Sequence, residues 1–245
     1  MIKISSSNQT RNNIYRKKFN KSKLLKKILP KKAVIFDVGS NIGQSVHEFN
    51  QILPYSKIYS FEPQINCVLL QKKKFSKNKN IKIEKIAFHN KVQKKKFYYH
   101  LFQSRNTSEL SGFYQINKKS KDSITLNNLK NKKNYFKKLN KFEIIKTSKL
   151  DRYTSEKKIK RINLLKIDTQ GNEVNILKGS INSLNKIDYI LLEIMFYDYY
   201  NHNVSFYEIE KVLKKFKFKL FDITHVSKNP LTGGTDWVDV IYKKT

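Results

Sequence analysis

Apolar positions change their period several times along the chain, and each change predicts an element. AVIFDVG, from Ala33, is a short apolar run ending in glycine, the pattern of a buried parallel strand. NIGQSVHEFNQIL follows with Ile42, Val46, Phe49 and Leu53 at helical spacing, and Pro54 closes it. KIYSFEP predicts a second strand, QINCVLLQKKKF a second helix and IKIEKIAF a third strand. The rhythm breaks over 91–150, where KKKFYYHLF and FEIIKTSKLDRY read as strands around a Lys/Asn-rich stretch, 117–141, expected to be a loop. It resumes with the strand NLLKIDTQG, then the helix NEVNILKGSINSL, whose Val174, Leu177, Ile181 and Leu184 share a face. YILLEI is the next strand and SFYEIEKVLKKF the next helix. KFKLFDITHV and TDWVDVIYKK close the chain with no helix between them, joined through Asn229-Pro230 and Gly233-Gly234, as in a β-hairpin.

Strands alternating with helices predict an α/β domain, doubly wound in the Rossmann-like manner. About seven strands are expected in a mainly parallel sheet with a C-terminal antiparallel hairpin. Residues 33–245 would form this domain, with an irregular insertion at about 91–150, and residues 1–32 a basic N-terminal extension. Within the extension, Leu24, Leu25, Ile28 and Leu29 lie at helical spacing before Pro30. They predict a short helix laid over the domain, with a membrane-surface anchor as the other reading.

Composition adds three constraints. A hydrophobic fraction of 39% over 245 residues is enough to build a core. Cys67 is the only cysteine, which excludes disulfide frameworks and multi-cysteine zinc sites and fits a cytoplasmic setting. His47, His89, His100 and His225 share no metal-ligand spacing, and no metal is expected. The formal net charge of +32 raises nucleic acid or anionic membrane as partners. Yet nearly all of it is lysine: the arginines are Arg11, Arg16, Arg105, Arg152 and Arg161. Base edges and phosphates favour the bidentate arginine fork, so the lysine excess reads as compositional bias rather than a nucleic-acid surface.

The candidate chemistry sits where strands end. The first strand runs into Asp37-Val-Gly-Ser-Asn-Ile-Gly43, a glycine turn that would let a ligand approach the backbone. An acid two residues before the first glycine would repel a pyrophosphate, at roughly 3 kcal/mol for ~5 Å and an effective dielectric of ~20. It would attract an ammonium or sulfonium, which favours S-adenosylmethionine over a dinucleotide. Glu62 ends the second strand about 20 residues beyond the turn, where such folds place an acid on ribose hydroxyls. Its competing reading is a solvated acid at a helix start. Ala87 and Phe88 end the third strand, next in line to flank an adenine. Asp168 ends the fourth, with Gln170 and Gly171 in the turn and Glu173 opening the helix, where it could equally serve the helix dipole.

The set DVGSNIGQ, SFEP, KTSKLD, LLKIDTQGNE, LKGSINSL and LLEI, in this order, resembles the FkbM-type methyltransferase family, and the likeness covers roughly residues 33–243. It implies a Rossmann-like fold using S-adenosylmethionine, commonly to methylate hydroxyls of sugars, polysaccharides or other secondary metabolites. It implies a cofactor against Asp37, Gly39, Asn41, Gly43 and Glu62, with Asp168 near its methionine end. Gln170 departs from the pattern, since many members carry glutamate there.

Methyl transfer from a sulfonium is largely a matter of positioning, but a hydroxyl acceptor must lose a proton to a base within about 3 Å. Asp168, Glu173, Glu193 and His202 are the candidates. The aromatic loop Phe196–Tyr200 and the insertion are expected to shape the acceptor pocket. The expected partner is a small-molecule or glycan acceptor, with at most peripheral membrane contact through the basic N-terminus. An RNA or DNA methyltransferase is the alternative that the charge supports, and a non-catalytic module on the same scaffold is the third reading.

Overall fold

The computed structural model describes residues 13–14, 20–99, 110–120, 140–202, 204–229 and 232–245. In chain order these form α1 (Lys21–Ile28), β1 (Val34–Val38), α2 (Gln44–Ile52), β2 (Lys57–Phe61), α3 (Ile65–Lys74), β3 (Ile81–Glu84), β4 (Ala87–Phe88), β5 (Lys94–Tyr99) and β6 (Lys141–Ser148). Then come α4 (Leu150–Glu156), β7 (Ile162–Ile167), α5 (Glu173–Lys178), β8 (Ile187–Met195), α6 (Phe206–Lys214), β9 (Phe218–Lys228) and β10 (Thr235–Lys244).

Seven strands make one sheet in the order β3-β2-β1-β7-β8-β10-β9. The first five are parallel, and β10 inserts antiparallel between β8 and β9, so the closing hairpin supplies the far edge. Alternation along the strands gives the sheet two apolar faces. One carries Phe36, Phe61, Leu165, Leu192 and Val240 against α4, α5 and α6. The other carries Ile35, Ile58, Leu164, Leu191 and Ile241 against α1 and α2. Leu24, Leu25 and Leu29 are buried in that second cluster, and Asn20 caps α1 by accepting from the Lys23 N–H at 2.8 Å. Burying three leucines is worth about 1.5–3 kcal/mol each, so tertiary packing rather than propensity holds this eight-residue helix. Among the described residues no helix is long and apolar enough to cross a membrane.

Three elements differ from the reading of the pattern. IKIEKIAF is broken: β3 stays in the main sheet, while β4 leaves it and pairs with β6 in a second sheet, β4-β6-β5. KTSKLDRY is half strand and half helix, because β6 ends at Ser148 and Leu150 starts α4, burying Leu150 and Tyr153. NEVNILKGSINSL is interrupted at Gly179, where a Cβ would lie 2.3 Å from the His89 carbonyl oxygen. The chain resumes there as a turn of 3-10 helix, Ser183–Lys186, and Ile181 is left exposed. Of the stretch expected to be a loop, 121–139 lies outside the described residues. Residues 110–120 are anchored by bridges from Gly112 to Tyr98 and from Ile116 to Tyr200.

Candidate active site

The parallel register brings the first charged groups together. Asp37 of β1 lies opposite Lys166 of β7, and both point to the α2 side, two residues on from Ile35 and Leu164. Lys166 Nζ lies 3.3 Å from Asp37 Oδ1 and 3.3 Å from Asp168 Oδ2, so one ammonium serves both carboxylates. Burial alone would lower the Lys166 pKa, but the Asp37 and Asp168 charges overcome it and hold the ammonium above its usual range. Asp37 is completely buried and also accepts a short hydrogen bond from Ser45 Oγ of α2. Asp37, expected to face a ligand, is buried and is a counter-charge for Lys166.

The turn after β1 is built by its own contacts. Gly39 has φ +83°, and a Cβ there would fall 1.9 Å from the Asp168 carbonyl oxygen. Gly43 has φ +82°, with Phe75 occupying the Cβ direction. Both glycines hold left-handed backbone where the protein's own atoms fill the space a Cβ would need. Asn41 also takes positive φ, and its side chain accepts from the Ile42 N–H at 2.7 Å. Gln71, fully buried on α3, ties the turn down: its amide donates to Ser40 Oγ at 2.9 Å and accepts from Ser60 Oγ at 2.6 Å.

Glu62 sits at the β2 tip against this turn. Its carboxylate accepts from the Asn41 N–H and the Gln64 N–H, both at 2.9 Å. Burial raises its pKa to about 7, outweighing those two bonds, with a smaller push from Asp37. Beside it, Gln64 Oε1 is buried with no hydrogen-bond partner, as is Asn172 Oδ1 at the β7 turn. Such orphaned acceptors are rare in folded proteins.

In the turn after β7, Gln170 holds a left-handed backbone, φ +56°, and its amide nitrogen donates to Asp168 at 3.1 Å and Glu193 at 3.3 Å. Its oxygen accepts from Tyr200 Oη at 2.8 Å. Asp239 of β10 pairs across from Glu193 of β8, and Asp168 directly follows neighbouring β7. Burial first, then Asp168 and Asp239, raise the Glu193 pKa well above normal.

The remaining candidates separate. Glu173 is buried, and its Oε1 accepts from the Thr169 N–H, Thr169 Oγ1 and the Gly171 N–H, which makes it the clamp of its own turn. His202 is exposed and stacks on Tyr114 at 4.4 Å. Phe88 was expected beside an adenine, but its ring packs in the core against Phe61 at 4.8 Å and its carbonyl accepts from Asn172. Ala87 lies in a small cluster with Phe97 and Phe113. Because β4 has left the main sheet, neither is the next strand tip beside β2. Lys166, Gln71 and Asp239 carry the site's geometry but had no role in the sequence reading, and Tyr200 entered it only as part of the aromatic loop. Lysine inside the apolar run NLLKI, and Gln71 in the buried stripe of Cys67 and Val68, are the signals that point to two of them.

The sequence profile of the Methyltransferase FkbM domain matches residues 37–220, well over half of the chain. The chain belongs to that family. A search of curated proteins returns no match. Among solved structures, the methyltransferase FkbM from Methylobacillus flagellatus KT aligns with a TM-score of 0.51 at 10% identity. The alignment covers 87% of this chain and 44% of that one, so this chain spans less than half of that protein. An rRNA methylase from Streptococcus thermophilus aligns at TM-score 0.47 and 11% identity, over 91% of this chain and 93% of that one. At such identities the FkbM structure speaks for the shared fold.

The residues that follow β2 and β7 therefore include Glu62, Asp168 and the orphaned amide oxygens of Gln64 and Asn172, all acceptors, and the Lys166 ammonium is already engaged by Asp37 and Asp168. That set fits a nucleoside rich in N–H and O–H donors and carrying positive charge.

Proposed function

We infer that this protein is an S-adenosylmethionine-dependent O-methyltransferase acting on a hydroxyl of a sugar, polysaccharide or other secondary metabolite. The observation that carries the reading is the excess of acceptors at the strand tips beside the Gly39–Gly43 turn. Glu62 would hold the ribose diol, and Asp168 the ammonium of the methionine moiety. Gly39, Asn41 and Gly43 would shape the turn beneath them. When bound, the cofactor supplies a methyl group on a leaving group already activated by its charge. Positioning then dominates, and the protein's own task at the acceptor is to take a proton. Glu193 suits that task, since burial and the neighbouring Asp168 and Asp239 strengthen its hold on a proton. Asp168 is already engaged by the Lys166 ammonium at 3.3 Å, which leaves Glu193 as the better placed base. Gln170 and Tyr200 act as positioning residues that fix both carboxylates.

The test is transfer of labelled methyl from S-adenosylmethionine into a glycan and metabolite extract, with product identification. Label in a carbohydrate or metabolite hydroxyl is expected. Label confined to RNA, or no transfer at all, contradicts the reading.

A further inference from the structure

The second sheet carries a face that the chemistry above does not use. In the antiparallel β5–β6 pair, Lys94 lies opposite Lys146, Lys96 opposite Ile144 and Tyr98 opposite Phe142. These six side chains share one face by alternation, and it is the outer one: Phe142 is 50% exposed and Ile144 55%. The inner face holds Phe97 and Tyr99 against Phe113, Tyr114 and Ile145. Glu143, the one acid in either strand, is opposite Phe97 on that inner side. Among the described residues none of Lys94, Lys96 and Lys146 forms an ion pair. Two lysines directly opposed across antiparallel strands repel each other, a cost that a bound anion removes.

This face leads to the site. Tyr98 and Gly112 exchange two backbone hydrogen bonds, at 2.7 and 3.1 Å. A Cβ on Gly112 would lie 3.4 Å from Gln170 Cβ, so the edge of β5 abuts the Gln170 turn through one short segment. The rings on the face do not form a platform for stacked bases. Tyr98 and Phe142 are inclined at 61°, and the Lys96 ammonium sits 4.4 Å from the Phe142 centroid. Neither strand contains an arginine, the residue that grips phosphate with two hydrogen bonds. Three lysine point charges beside exposed apolar surface suit carboxylates spaced along a sugar chain.

We propose that the outer face of β5 and β6 docks a carboxylated, uronate-type polysaccharide, the chain that presents its hydroxyl to Asp168 and Glu193. The inference rests on the O-methyltransferase reading for its purpose, but its test does not. A labelled oligogalacturonate is titrated by fluorescence anisotropy against the full chain at low salt. The triple variant Lys94→Gln/Lys96→Gln/Lys146→Gln should weaken binding about tenfold or more. The charge-matched triple Lys72→Gln/Lys73→Gln/Lys79→Gln, which removes three exposed lysines of α3 and the loop after it, should change binding less than about twofold. An uncharged maltodextrin of equal length should not bind, and single-stranded RNA should lose equally in the two triples, through net charge alone. Equal losses of oligogalacturonate in both triples, or an RNA loss specific to the β5–β6 face, overturn the docking assignment. Binding of S-adenosylhomocysteine should be unchanged in the Lys94/Lys96/Lys146 triple. Failure of the wild-type protein to bind that nucleoside overturns the methyltransferase reading and leaves the docking comparison intact.

Discussion

Asp37→Asn isolates what the buried lysine does. The substitution keeps the shape and an acceptor for Ser45 but removes one of the two charges that neutralise Lys166. At 3.3 Å and an effective dielectric near 20, the lost attraction is about 5 kcal/mol before relaxation. Lys166 keeps Asp168 at the same distance, and the carboxamide oxygen still accepts, so the net loss should be about 2–4 kcal/mol, near the lower end for breaking a buried pair. For a domain of this size that is a fall of roughly 5–15 °C in melting temperature, read by circular dichroism. Adding Lys166→Met removes the stranded ammonium and should restore at least about half of the loss, a coupling that a double-mutant cycle measures. If Asp37→Asn melts within about 1 °C of wild type while affinity for S-adenosylhomocysteine collapses, Asp37 contacts the ligand directly and the counter-charge account is wrong.

Three other outcomes follow from the same geometry. Burial lifts the Glu62 pKa to about 7 in the folded chain, so folding penalises its ionised form: relative to Glu62→Gln, the apo protein should lose up to about 3 kcal/mol of stability as pH rises from about 4.5 to 7, with parallel melting curves contradicting it. Gly39→Ala should prevent stable folding, because its Cβ meets a backbone oxygen at 1.9 Å, whereas Gly233→Ala, with φ +71° and open space, should cost about 1 kcal/mol; equal denaturant midpoints would refute the packing argument. Gln170→Glu adds a carboxylate to the group of Asp168, Glu193 and Asp239, so the midpoint of the pH–rate profile should move up by about one unit or more, and an unshifted profile separates Gln170 from the titrating base.

The period of apolar residues was enough to place the main sheet, because each buried strand and covering helix has its own stripe. It failed where local signals compete with tertiary contacts. Nothing in IKIEKIAF announces that Lys85 and Ile86 leave the sheet, since β4 is defined by its pairing with the distant β6. Gly179 looks like an ordinary helix residue until the His89 carbonyl is placed against it. In the site, Glu62 and Asp168 were legible as acids at strand ends. The partnership of Asp37 with Lys166 was not, because it depends on parallel register between strands separated by more than a hundred residues. Glu173 shows the same limit: its first-turn position was visible, but not the three donors that occupy one of its oxygens.

The claim on which everything else depends is that the acceptor-lined tips of β1, β2 and β7 bind a sulfonium nucleoside. Calorimetric titration of S-adenosylhomocysteine into wild type and Glu62→Gln tests it most directly. The account predicts saturable one-to-one binding by wild type and at least about a tenfold loss in a variant that stays folded. No binding by wild type, or equal affinity in both proteins, would contradict it.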